Sequence, residues 1–159
     1  MRYELNTNVI FRRNNTHEKV YKILKNKTTM SDFEIFSYIV LVGLSFDKME
    51  SFTNINVDAN KTLQTRGHVI KNRTLLGIYA SLLEKDEFKY NIEKLANEDF
   101  IKGEFVKTVE EYAEGGMQLL LEEFKDAWRW DGDSISEEYD DYDVDLLRFI
   151  YDRVNSVEF

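Results

Sequence analysis

The sequence predicts a mainly α-helical protein, folded as one compact domain of five to seven helices over residues 1–159. Apolar residues recur at intervals of three and four in several segments, which is the spacing of one buried helix face. A length of 159 residues with 43% hydrophobic residues suits one domain with its own core. The chain has no proline, the residue hardest to place inside helices, although genome base composition can also deplete proline.

The first predicted elements are an extended N-terminal segment and a short helix. Residues 1–14 form an arm or a strand, because apolar and polar residues alternate loosely from Tyr3 to Arg12. Thr16 then offers an N-cap. The helix that it opens has an apolar face made of Val20, Tyr21, Ile23 and Leu24.

An apolar helix after Ser31 is predicted to lie at the centre of the core. Ser31 and Glu34 have the spacing of a capping box, in which each side chain satisfies a free backbone donor at the helix start. The helix runs to about Asp47 and is apolar on most sides. Residues 51–71, which follow, are polar and lack clear periodicity, so we expect a long loop there.

Two helices are predicted after this loop. Asn72, or the residues just before it, opens the first. Its predicted buried stripe consists of Leu75, Leu76, Ile78, Tyr79, Leu82 and Leu83. A second, short helix passes through Ile92 and Leu95.

A longer helical pattern extends from about Gly103 to Phe124 and contains a glycine doublet, Gly115 and Gly116. Each glycine costs about 1 kcal/mol relative to alanine inside a helix. The doublet therefore either breaks the helix into two or lets another backbone come close.

The C-terminal part is strongly acidic. From Asp131 to Asp145 there are eight carboxylates and no basic residue, and we expect residues 131–143 to form an exposed acidic loop. An amphipathic helix from Val144 to Val154 is predicted to follow.

Charge is distributed unevenly within the net charge of −9. Residues 1–90 carry 14 Lys and Arg against 10 Asp and Glu, whereas residues 91–159 carry 7 against 20. Both charged regions could simply be solvated faces. Direct contact with nucleic acid is conceivable through Arg2, Arg12, Arg13, Lys19 and Lys22. We do not favour it, because a charge of −13 over residues 91–159 repels DNA.

Few residues are suited to catalysis. The chain has no cysteine and two histidines, His17 and His68, so it lacks a zinc ligand set and a Cys–His pair. The Asp131–Asp133 stretch lacks the third ligand and the glycine of an EF-hand, since Ile135 and Ser136 occupy those places. We expect no catalytic, cofactor or metal site and no enzyme activity, unless the carboxylate cluster binds a metal.

The expected location is the cytoplasm, without membrane attachment. Absence of cysteine is typical of reducing compartments. Met1–Arg13 lacks the apolar stretch of a signal peptide. The longest apolar run, Ile35–Phe46, is too short to span a bilayer.

Aromatic residues among the C-terminal charges indicate a protein interface. Trp128 and Trp130 could supply large, rigid contact area, although both could instead cap the core beneath the last helix. The candidate partner-binding carboxylates nearby are Glu137, Glu138, Asp140 and Asp141. Closely spaced carboxylates also permit an acidic inhibitor that mimics DNA.

One block has a family resemblance. The stretch Thr108-Val-Glu-Glu-Tyr-Ala-Glu-Gly-Gly-Met117, followed by Gln118–Glu122, resembles the EEYA-x-GG signature of a small accessory family. Members are encoded beside bacterial DNA phosphorothioation (Dnd) and related phage-defence genes. The order of Phe33–Phe36, Val42–Leu44 and an apolar helix before Asp86 is similar too, so the resemblance covers residues 31 to about 126.

The resemblance implies a non-catalytic accessory subunit of a DNA-modification or anti-phage defence assembly. It carries over no catalytic residue. It adds Glu110, Glu111, Tyr112, Gly115 and Gly116 to the candidate partner-binding residues. The alternative hypothesis is an acidic inhibitor or DNA mimic directed at a nucleic-acid enzyme.

Overall fold

The fold is described from a computed structural model, which covers residues 8–51, 64–68, 72–85 and 98–155. Its elements in chain order are β1 (Asn8–Arg12), α1 (Glu18–Lys27), α2 (Asp32–Ser45), β2 (Gln64–His68), α3 (Arg73–Leu83), α4 (Val106–Glu123) and α5 (Tyr142–Asn155). A 3₁₀ turn at Asn15–His17 precedes α1. A helical turn at Glu98–Phe100 and a π-helical turn at Ile101–Phe105 lead into α4. The predicted mainly helical fold with a short N-terminal strand is confirmed.

Helix α2 lies at the centre, as predicted, between two apolar clusters. The first cluster packs on Phe36 and Val40 and includes Phe11, Leu75, Ile78, Phe105 and Val109. The second packs on Ile35 and Ile39 and includes Leu24, Leu120, Trp128, Tyr142 and Leu146. Burial on both faces explains why this helix is apolar on most sides.

Helices α2 and α4 pack closely at two glycines, Gly43 and Gly116, and a third, Gly115, packs against the segment that follows α2. A Cβ added at Gly116 would overlap the carbonyl oxygen of Ile39 and lie 2.9 Å from the backbone nitrogen of Gly43. A Cβ at Gly43 would overlap the carbonyl oxygen of Tyr112, and one at Gly115 would overlap the carbonyl oxygen of Lys48. Helix α4 runs unbroken through the doublet. Of the two predicted alternatives, close backbone approach is therefore confirmed and a helix break is wrong.

Of the predicted extended segment 1–14, residues Asn8–Arg12 form a strand. Strand β1 pairs antiparallel with β2, from Asn8 opposite His68 to Arg12 opposite Gln64. Val9 and Phe11 are buried while Ile10 is exposed, which is the alternation expected of a strand. Residues 1–7 lie outside the described part of the chain.

The predicted loop over residues 51–71 is wrong at Gln64–His68, which form β2. This stretch lacks an apolar alternation, so its strand conformation comes from backbone hydrogen bonding to β1 rather than from its own pattern. Residues 52–63 and 69–71 lie outside the described residues, as do Ile92 and Leu95 of the predicted short helix.

The residues that begin the helices were predicted more accurately than the residues on their buried faces. The capping box at α2 is present, with Glu34 N–H donating to Ser31 Oγ at 3.2 Å and Ser31 N–H donating to Glu34 Oε2 at 3.3 Å. Asn72 caps α3 as predicted. Before α1, however, the side chain of Asn14 accepts from Thr16 N–H, so the predicted capping role of Thr16 is wrong.

The predicted buried stripe of α3 is partly wrong. Leu75, Ile78 and Leu82 are buried, Tyr79 is half-buried, and Leu76 is exposed. Helix α5 begins at Tyr142, two residues before its predicted start. No helix among the described residues is long and apolar enough to cross a membrane.

Candidate partner-binding surface

The Glu110–Met117 block of α4 lies inside the protein. All of its residues are buried except Glu111, which is half-buried. The structure therefore places Glu110, Tyr112, Gly115 and Gly116, which were predicted to contact a partner, in the interior of the folded chain. Residues four positions apart lie on the same face of a helix. In this block of α4, two such faces are covered by other parts of the protein.

Glu110 joins α4 to β1. It is 1% exposed, and its Oε2 accepts from the backbone N–H of Arg12 at 2.6 Å and from Arg12 Nε at 3.2 Å. Burial raises the pKa of Glu110, although the bonds from Arg12 act in the opposite direction. Removing either partner of this buried pair would leave the other unsatisfied. The pair of Glu110 and Arg12 therefore fixes the position of β1 on α4.

Other polar residues of the block hold the surrounding loops. Asn14 Nδ2 donates to Glu114 Oε1 at 2.8 Å, and burial raises the pKa of Glu114. The Tyr112 hydroxyl donates to Asp47 Oδ1 at 2.9 Å. The carbonyl of Glu111 accepts from Glu50 N–H at 3.1 Å. The signature that carries the family resemblance is thus a packing motif in this chain.

The described residues that were considered for nucleic-acid contact, and not favoured, are paired with carboxylates. Arg13 is buried against the Tyr21 ring, 4.4 Å from its centroid, with Asp32 at 3.6 Å. The remaining described pairs are Arg12 with Glu110, Lys19 with Asp133 and Lys22 with Glu18. Arg2 lies outside the described residues. Such pairing reduces the attraction of these cations for phosphate groups.

The two tryptophans have different environments. Trp128 is 0% exposed, stacks on Phe124 at 4.7 Å between ring centroids, and donates from Nε1 to Asp145 Oδ2 at 2.8 Å. It caps the core beneath α5, which is the alternative to partner contact that the sequence allowed. Trp130 is half-buried at the edge of the same cluster.

The acidic segment is exposed at its carboxylates and anchored at its apolar residues. Glu137, Glu138, Asp140 and Asp141 are exposed. Ile135 is buried in the second apolar cluster, and the Tyr142 hydroxyl donates to the carbonyl of Ser136. The predicted exposed loop 131–143 is therefore pinned to the protein, and its last two residues belong to α5.

An apolar groove between α2 and α5 was not predicted. It has a volume of about 310 Å³. Its lining consists of Tyr38, Leu41, Val42, Ser45, Phe46, Phe149, Ile150 and Arg153. The Tyr38 hydroxyl donates to the carbonyl of Leu146 at 2.7 Å and fixes the two helices beside the groove. At one end, the Arg153 guanidinium lies 4.6 Å from the Phe46 ring centroid.

The outer face of α5 continues this apolar surface. Val144, Leu147 and Tyr151 follow helical spacing and point away from the core, with Leu147 71% and Tyr151 68% exposed. Together with the groove they form what we call the α2/α5 surface. A signal was present in the sequence, since α5 carries more apolar residues than one buried face requires.

Comparisons with known proteins return no match. No family model matches the chain, and no similar curated protein or solved structure is found at a significant level. Within the described ranges, no group of three or more His, Asp and Glu side chains is arranged to hold a metal ion.

Proposed function

We propose that this chain is a non-catalytic binding subunit of a bacterial DNA-modification or anti-phage defence assembly and acts through protein contacts. The observation that carries the proposal is the exposed α2/α5 surface. Large apolar side chains such as Leu147 and Tyr151 are costly to leave in water. Contiguous apolar patches with polar rims mark protein interaction sites.

The chemistry of the surface defines the partner that fits it. The groove accepts an apolar segment, and an amphipathic helix laid across α5 would cover Val144, Leu147 and Tyr151. Carboxylates at Glu137–Asp141 directly precede α5 and would attract a partner with basic residues around its apolar contact. Rim charges of this kind mainly accelerate association.

The assignment to a defence assembly is supported by the resemblance at Thr108–Met117. Because that block packs α4 against α2, β1 and neighbouring loops, the resemblance concerns the architecture rather than a contact surface. A family that keeps this helix crossing keeps α2 in the same place, whereas α5 lies outside the resemblance and its exposed residues belong to this chain's own choice of partner.

The alternative, a DNA mimic, is less well suited to the described surface. Lys27 pairs with Asp140 at 3.0 Å, and Lys19 pairs with Asp133, so two carboxylates of the acidic segment have cationic partners. A mimic of the phosphate backbone depends on unpaired negative charge. The apolar groove also has no counterpart in the phosphate backbone.

Affinity capture of the tagged chain from its native host, followed by quantitative mass spectrometry, tests the proposal. We expect one protein partner in stoichiometric amount that belongs to a DNA-modification or restriction assembly and survives nuclease treatment. Capture that disappears after nuclease treatment would contradict action through protein contacts. A nucleic-acid enzyme inhibited by the chain, with no modification components, would favour the DNA-mimic alternative.

A further inference from the structure

A second concave site lies on the opposite side of α4 from the α2 crossing, and its volume is about 640 Å³. Its lining consists of His17, Gln118, Leu121, Glu122, Lys125, Trp130, Asp131 and Gly132. None of these residues lines the α2/α5 groove. We call this site the Trp130 cleft.

His17 is a buried polar side chain that faces this cleft without a hydrogen bond. It is 6% exposed, and its ring lies 6.0 Å from the Trp130 ring between centroids. Its Nδ1 is 3.7 Å from Glu114 Oε2, beyond hydrogen-bond distance, and no described residue donates to or accepts from the imidazole. The imidazole nitrogens are not among the buried atoms without a partner, so they keep contact with solvent and a ligand donor would replace water there.

Burial also fixes the protonation state of this histidine. Desolvation lowers the pKa of His17 to about 4, so the imidazole is neutral at pH 7 and keeps one acceptor nitrogen. The nearby Glu114 carboxyl has a raised pKa because it too is buried. The Glu114–His17 contact is therefore not an ion pair at neutral pH.

The rim of the cleft favours a cation. Glu122 and Asp131 contribute two negative charges and Lys125 one positive charge, all on exposed side chains. The carboxylate of Asp131 is held in place because its Oδ1 accepts from the backbone N–H groups of Asp133 and Ser134. The half-buried indole of Trp130 supplies an aromatic face beside this carboxylate.

We propose that the Trp130 cleft binds an arginine side chain presented by a partner protein. The guanidinium would stack on the Trp130 indole, pair with the Asp131 carboxylate and donate to the free nitrogen of His17. The site is separate from the α2/α5 surface, and the inference shares with the proposed function only a protein partner.

Arginine fits these groups better than the other charged ligands. Its planar guanidinium stacks on aromatic rings and donates in several directions at once, whereas a lysine ammonium is a compact, strongly hydrated charge. Cation–π contacts contribute about 0.5–2 kcal/mol. An anion would meet the carboxylates of Glu122 and Asp131, which outnumber Lys125 at the rim.

Titration with Nα-acetyl-arginine amide, followed by ¹H–¹⁵N NMR, tests the inference without any partner. We expect a saturable shift of the Trp130 indole N–H with a Kd on the order of 1–10 mM, as one side chain can supply. The Asp131→Asn variant, which keeps the oxygen that holds the turn, should bind at least threefold more weakly. Glu137→Gln, the matched control, removes one charge outside the cleft and should leave the Kd unchanged.

The uncharged analogue Nα-acetyl-citrulline amide separates specific recognition from weak general contact. We expect it to produce no saturable shift at Trp130. Equal shifts with the arginine and citrulline analogues, or equal loss of affinity in Asp131→Asn and Glu137→Gln, would overturn the inference. Such a failure would not contradict the proposed binding of a partner at the α2/α5 surface, because this titration involves no residue of that groove.

Discussion

Replacing Gly116 with alanine should lower the free energy of unfolding by ~3 kcal/mol or more, at the upper end of the usual cost of overpacking. The added Cβ would overlap the carbonyl oxygen of Ile39 and approach the nitrogen of Gly43. Both obstacles are backbone atoms of α2, so the helices must separate to admit a methyl group. The gain in helix propensity, about 1 kcal/mol, is too small to offset this. Thermal unfolding followed by circular dichroism measures the change.

Gly77→Ala is the matched control for this substitution. Gly77 lies inside α3, and a Cβ there would have no neighbour within 4 Å. Alanine should therefore stabilise the protein by up to about 1 kcal/mol through helix propensity alone. A Gly116→Ala variant that melts at or above the wild-type temperature would show that α2 and α4 do not touch at the glycines.

The second large effect is expected at Trp128. Trp128→Ala should cost ~3–5 kcal/mol, the usual range for removing a buried aromatic ring. The substitution removes the stacking on Phe124 and leaves Asp145 with the Tyr139 hydroxyl as its remaining described side-chain partner. Urea unfolding followed by far-ultraviolet circular dichroism gives the free energy without relying on tryptophan fluorescence.

Trp130→Ala provides the comparison, because the same chemical change is made at the edge of the cluster. Trp130 is half-buried, and its loss should change the free energy of unfolding by less than about 1 kcal/mol. If Trp128→Ala prevents folding, Trp128→Phe keeps a ring in the core and should still cost more than Trp130→Phe. Equal costs at the two positions would contradict the placement of Trp128 in the core.

Features encoded locally were predictable from the sequence. The capping box at Ser31 and the cap at Asn72 depend on residues within one helical turn. The central position of α2 follows from its apolar composition. The glycine doublet indicated that another backbone could lie close to α4. That this backbone belongs to Ile39 and Lys48 could not be predicted, because both residues are distant from the doublet in sequence.

Features that depend on distant contacts were missed. Strand β2 has no apolar alternation of its own and is a strand because β1 lies beside it. Glu110 looks like a surface carboxylate at its position in α4, and only the approach of Arg12 makes its burial possible. Lys19 and Asp133 read as opposite ends of a charge gradient, whereas folding brings them together.

The dependence on contacts between distant residues also explains why the candidate binding residues differ from the exposed residues in the structure. A charged motif such as Glu110–Glu114 suggests a surface, and the structure reverses that expectation. The amphipathic pattern of α5 predicts one buried face but does not show that its other face carries exposed apolar residues. The motif is interior, and one face of α5 is left exposed.

The most direct test of partner binding through the α2/α5 surface is the affinity of the captured partner for Leu147→Glu, measured by calorimetry beside Leu76→Glu. Both positions carry an exposed leucine on a helix, at 71% and 44% exposure, so the same charge is introduced with little effect on folding. The account predicts at least tenfold weaker binding for Leu147→Glu, equivalent to about 1.4 kcal/mol, and wild-type affinity for Leu76→Glu. Wild-type affinity in Leu147→Glu would contradict it.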